Sequence, residues 1–159
     1  SAERFKVADD GSENGYTRYG DWYGNSYGHW CAMFVSWCAN EANIPRTIIP
    51  LYALVSAGRD WFESRGLFQY KEDYKPKAGD IIFFLSAGAG HTGIVISCDG
   101  NTVYTIEGNT SNMCAKRSYN WNYKTITGYG TPLYPKYDGT THIEFDVSSA
   151  TDGSNASTR

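Results

Sequence analysis

The 159-residue chain has no apolar run near the ~18 residues that a membrane-spanning helix needs, so no membrane span is expected. Lys and Arg are not clustered, and the net charge is -3, which leaves no electrostatic footprint for a nucleic acid backbone. Four cysteines at 31, 38, 98 and 114 form no C-x-x-C pair, and their density is far below that of a disulfide scaffold. Neither a structural zinc site nor a disulfide framework is expected. Residues 1–6 do not have the charged and apolar regions of a signal peptide. No internal repeat is visible. The length suits one compact domain with tails.

Aromatics are plentiful, with 13 Tyr, 7 Phe and 5 Trp. They suit stacking on sugars or peptides, although such rings more often fill cores. Residues 8–28 are rich in Gly, Asn, Asp and Tyr and read as irregular entry into the fold. Residues 30–42, WCAMFVSWCANEA, are apolar on nearly every side at first, the pattern of a buried helix. A second helix is expected over 51–65, with Pro50 at its entrance and Gly66 just past its end. After a turn at 75–80 the character changes. IIFFL (81–85) reads as a strand covered on both faces, and 92–98 and 102–107 flank an Asp99-Gly100-Asn101 hairpin signal. Strands are also expected over 113–119 and 123–129. Helices followed by antiparallel strands argue for an α+β domain over 1–136. Residues 137–159, ending VSSATDGSNASTR, read as a Ser/Thr-rich tail or linker, with an additional module expected in the parent chain beyond it.

Cys31 opens the first helix, where unpaired backbone N–H groups and the positive dipole end favour a thiolate and could form half of an oxyanion hole. The competing reading is a buried, apolar cysteine, which is the assignment for Cys38 two turns on. His91 follows the loop SAGAG (86–90) and opens a strand, so it can face a groove. His29 is its competitor, but a side chain so close to Cys31 at the helix entrance is expected to face solvent or cap the helix. His142 falls in the sparse tail. If 99–101 form a three-residue loop, Cys98 faces Thr102 and paired numbers sum to 200. His91 is then opposite Asn109 and diagonal to Glu107, on one face. Gly93 and Thr105 share that face and would admit the Cys31 helix. The same register puts Cys98 and Cys114 at opposite ends of a strand, beyond the ~7 Å Cα limit for a bridge. As alternatives, Glu107 would be a solvated strand end and Asn109 a turn residue.

Four segments in this order resemble the CHAP family of cysteine- and histidine-dependent amidohydrolases and peptidases: YGHWCAMFVSWC (27–38), PKAGDIIFF (76–84), GHTGIV (90–95) and IEGNTS (106–111). The family belongs to the papain-like superfamily along with the NlpC-type hydrolases, and the resemblance runs over about 19–132. It implies N-terminal helices packed on a mainly antiparallel sheet of about five to six strands. It carries the nucleophile onto Cys31, the base onto His91, the orienting acid onto Glu107 and an auxiliary polar role onto Asn109. Tyr23 and Asn25 are the candidate side-chain oxyanion donors. The implied substrate is peptidoglycan, cut between N-acetylmuramic acid and L-alanine or within the stem peptide or cross-bridge. That function would place a monomer of bacterial or phage origin outside the cell at the wall. Alternatives are an extracellular cysteine peptidase acting on proteins and a noncatalytic wall-binding module. Some phage members carry an acidic calcium loop before the nucleophile. Here 20–30 contain one carboxylate, Asp21, so no metal or other cofactor is expected.

Overall fold

The computed structural model describes residues 15–135 and 146–157. His142 and residues 1–6 lie outside them. The elements run α1 (Arg18–Tyr23), α2 (Cys31–Glu41), α3 (Val55–Ser64), β1 (Phe68–Tyr70), β2 (Ile81–Ser86), β3 (Ala89–Cys98), β4 (Thr102–Thr110), β5 (Met113–Asn120), β6 (Ile126–Gly130) and β7 (Thr151–Asp152). Three helices thus precede and pack on one sheet of order β1-β6-β2-β3-β4-β5-β7. Every pairing is antiparallel except β5 with β7. The domain is α+β, with seven strands among the described residues where five to six were expected. The surplus comes from edge strands of three and two residues, too short to show a period.

Two helix expectations need correction. The entry segment contains α1, capped by the Thr17 hydroxyl, which accepts from Gly20 N, and ended by Gly24 in the left-handed conformation. Six residues with a glycine inside carry too little periodicity to reveal it. The second helix starts at Val55, four residues later than expected, because 51–54 are held out of helix by α2. Ser36 Oγ donates to Tyr52 O at 2.8 Å and accepts from Tyr52 N at 3.0 Å. The far end is as expected, with Gly66 at φ 68° just past the last turn.

The sheet has two differently covered faces. On the helix face Ala32, Val35 and Ala39 pack with Tyr52, Phe62, Ile81 and Phe83, against which Ile94 also lies. Trp30, Met33 and Phe34 pack with Tyr19 of α1, and Ile106 joins them. Each large side chain fully buried there contributes about 2 to 3 kcal/mol. A Cβ at Gly108 would sit 2.5 Å from Phe34 Cβ, so this glycine lets α2 approach β4. The opposite face carries Ile82, Phe84, Val95, Val103, Tyr119, Ile126 and Tyr129.

Residues 146–157, read from composition as tail, dock along the β5 edge. Arg117 pairs with Thr151 and Ser118 with Asp152, and Gly153 N donates to Ser118 O at 3.0 Å. Arg117 Nη1 donates to Thr151 Oγ1, and Lys116 Nζ to Asp146 O. Composition implied too little apolar burial to order this stretch; backbone pairing to an open sheet edge supplies the order instead.

Candidate active site

The β3–β4 hairpin sets the site. At the turn Cys98 pairs with Val103 rather than with Thr102, so the loop is one residue longer than expected. Such a shift alone would turn every later side chain to the other face. A bulge between Val95 and Ser97 absorbs the extra residue, and Val95 pairs with Thr105 and Ile94 with Ile106, restoring the sum of 200 before the site is reached.

His91 and Glu107 consequently lie on the same face, away from α2. His91 Nε2 is 2.7 Å from Glu107 Oε1. The carboxylate is fully buried. It accepts from the Tyr119 hydroxyl at 3.0 and 2.8 Å and from the Thr105 hydroxyl. Three donors, the Tyr119 hydroxyl shared between both oxygens, offset the cost of burying this charge. Gly93 lies beneath it: a Cβ there would come within 2.6 Å of Glu107 Cγ. The small side of β3 thus admits the carboxylate, not the Cys31 helix, and Thr105 is a hydrogen-bond donor rather than a spacer. The Phe84 ring, 5.4 Å from the imidazole, backs His91.

Cys31 comes from the other face, at the start of α2. Its N-cap, Trp30, makes no side-chain capping bond, so the first-turn N–H groups point out of the helix uncapped by that side chain. With Nε2 committed to Glu107, His91 Nδ1 is buried without a hydrogen-bond partner among the described residues, and Cys31 is the side chain besides Glu107 that acts on the imidazole. Burial is the largest influence on the imidazole and works downwards. Interactions with Cys31 and then Glu107 outweigh it and raise the pKa to about 9.

Cys31 opens onto a cavity of about 420 Å³ walled by Ala53, Leu54, Val55, Phe84 and Leu85, with Arg59 further along α3. His29 is exposed and also lines this cavity, so it neither caps α2 nor faces only bulk solvent. It makes no hydrogen bond among the described residues, so no partner fixes its tautomer. A second, polar cavity of about 280 Å³ lies beside His91 and Glu107, lined also by Phe84 and Gly90 and by Gly153, Ser154 and Ala156 of the docked segment. Among the described residues no group of three or more His, Cys, Asp or Glu is placed to hold a metal ion.

The remaining sequence candidates are placed less centrally. Asn109 is fully buried with φ 55°, in an irregularity of β4 between Glu107 and Thr110 and past the last β3–β4 pair. Tyr23 packs beside Tyr19 and Trp30, and Asn25 is exposed with its side chain against Gly28; neither lines the Cys31 cavity. From the sequence Tyr119 reads only as part of a strand. Period-two alternation could place it on a face but could not show that its hydroxyl reaches a carboxylate one strand away.

A thiol at a helix N-terminus, next to an imidazole that is hydrogen-bonded to a carboxylate, and helices on an antiparallel sheet define the papain-like class. The chain matches the CHAP domain over residues 22–109, more than half its length, and belongs to that family. CHAP domains are cysteine/histidine amidohydrolases, so membership implies an amidase or peptidase hydrolase, generally one acting on peptidoglycan. No curated protein matches the chain. No helix among the described residues is long and apolar enough to cross a membrane.

All four cysteines are free. Cys98 ends β3, opposite the turn end of β4, and Cys114 lies near the start of β5, at the site end of β4. The Cys38 thiol is pushed up to about 12, by burial first and then by the nearby Cys114 and Glu41, and burial pushes Cys114 up to about 11. Both are protonated at neutral pH and should react slowly. Iodoacetamide at pH 7 should therefore label Cys31 well before Cys38 or Cys114, as followed by peptide mapping. Denatured, unreduced protein should titrate four thiols. Cys38 labelled first, or only two thiols, would contradict this placement.

Proposed function

We propose that the chain is a wall-directed cysteine hydrolase that cleaves an amide bond of peptidoglycan, either as an N-acetylmuramoyl-L-alanine amidase or as a stem or cross-bridge endopeptidase, outside the cell. The observation that carries this reading is the 2.7 Å hydrogen bond of His91 to a fully buried carboxylate, with Cys31, which acts on that imidazole, opening onto a groove.

The Cys31 sulfur, its proton carried by His91, attacks the scissile carbonyl carbon, and the developing oxyanion meets the N–H groups of the first turn of α2. Collapse breaks the C–N bond, and the imidazolium of His91 gives its proton to the leaving amine. A thioester remains on Cys31. Water attacks it while neutral His91 takes the proton, releasing the acid and regenerating the Cys31–His91 pair with the proton on the imidazole. Glu107 fixes the ring by accepting from Nε2, leaving Nδ1 toward the sulfur, and offsets the imidazolium charge. Tyr119 and Thr105 in turn hold Glu107 in place.

The discriminating experiment is mass spectrometry of the products released from purified sacculi, with denatured casein as a parallel substrate. A new N-terminus on alanine is expected from an amidase, and one on glycine or a diamino acid from an endopeptidase. Release of new amines from casein but none from sacculi would overturn the wall assignment.

A further inference from the structure

We propose that Arg59 makes the Cys31 cavity a subsite for a peptide bearing a free carboxylate next to small apolar groups. The inference rests on the hydrolase reading and names the part of the substrate that the cavity accepts. Arg59 follows Val55 by one helical turn, so both project from the same face of α3 into the cavity. Val55 also packs beneath Gly90, where a Cβ would come within 2.9 Å of it, which anchors that wall to the loop before His91.

The guanidinium is oriented but not used up. Its Nε donates to Glu63 Oε1 at 3.1 Å. Its Cζ lies 4.8 Å from the Phe68 ring centroid and 5.9 Å from that of Tyr70. Its two Nη groups bond to no side chain or backbone atom among the described residues. A planar guanidinium with one edge held and the other open is a ready fork for a carboxylate. Among the described residues no Asp or Glu lines the cavity, the walls next to the thiol are apolar, and Glu63 pairs with the guanidinium only through its Nε edge, so the open Nη edge is the cationic group of the cavity. Stem peptides meet this description: small alanine side chains flank a γ-linked glutamate whose α-carboxyl is free in some walls and amidated in others. Arg59 would select the free acid.

The test uses two synthetic stem peptides, identical except that the glutamate α-carboxyl is free or amidated. Calorimetry with Cys31→Ala measures binding without cleavage. The free acid should bind about tenfold or more tightly than the amide. Adding Arg59→Met, which keeps an apolar stem against Phe68, should remove that preference and leave amide binding unchanged. In the active enzyme the same substitution should raise KM for the free acid about tenfold with little change in kcat, since binding is lost equally from ground and transition states. Equal binding of the two peptides, or a preference that survives Arg59→Met, overturns the subsite. Discrimination by the Cys31→Ala protein with no cleavage by the parent would leave the subsite standing and sink the hydrolase reading. Cleavage of both forms with equal KM would do the reverse.

Discussion

Replacing Cys31 by alanine should lower turnover of purified peptidoglycan by about 10⁴-fold or more and leave the fold in place. The sulfur forms and breaks the bonds in the proposed reaction, and no neighbouring side chain can substitute: Cys38 lies two turns down α2 with its thiol pushed up to about 12. The structural cost is small. Cys31 is 3% exposed at a helix start, so alanine forfeits one sulfur's contacts, about 1 kcal/mol, and is itself the best helix former. Circular dichroism and a melting curve close to those of the parent would show that the loss is chemical. Undiminished release of muropeptides by the variant would end the covalent mechanism.

What the sequence revealed of the fold follows from signal strength. α2 was visible because ten consecutive positions are apolar enough to require burial on all sides, and β2 to β5 because continuous or alternating runs are bounded by Gly, Asn and Asp. The misses have tertiary causes. Ser36 binds both the N–H and the C=O of Tyr52, which keeps 51–54 out of the helix, and a hydroxyl sixteen residues away leaves no trace in a local window. The docking of 146–157 depends on the unpaired edge of β5, which exists only once the sheet has formed.

The site is a sharper case. Reading the hairpin as a three-residue loop placed Cys98 opposite Thr102, which is wrong, yet it placed His91 and Glu107 on one face, where they are found. The two statements separate because the bulge at Ile96 compensates the longer loop. A bulge adds one residue without a compositional mark, so a sequence reading can miss both irregularities and still give the right register beyond them. The reasons given for Gly93 and Thr105 failed for a related cause: alternation shows which residues share a face, not what covers that face. Here it is covered by the buried carboxylate and Tyr119, while α2 lies on the other side against Gly108.

His91→Ala should reduce turnover by about 10² to 10⁴-fold, whereas His29→Ala should cost little, although His29 lines the same cavity as Cys31. The difference lies in their partners. His29 is exposed and has no carboxylate to fix its tautomer or share its charge. His91 has Glu107 at 2.7 Å and the Cys31 thiol as its other neighbour. Its pKa of about 9 lies above the ordinary histidine value of 6.5, despite burial, because the Cys31 and Glu107 interactions together exceed the desolvation that opposes them. The folded protein therefore holds this proton more tightly than the unfolded chain. The resulting stabilisation is complete below pH 6.5, weakens as pH rises, and is lost as pH passes about 9. Activity should share that upper boundary, because only the imidazolium can protonate the leaving amine, so kcat/KM should fall on an alkaline limb near pH 9. In Cys31→Ala the first of the two raising interactions is gone, and the His91 imidazole, followed by NMR, should titrate below its value in the parent. An unchanged titration in that variant would mean that thiol and imidazole do not form a pair. A larger loss from His29→Ala than from His91→Ala would move the base to His29.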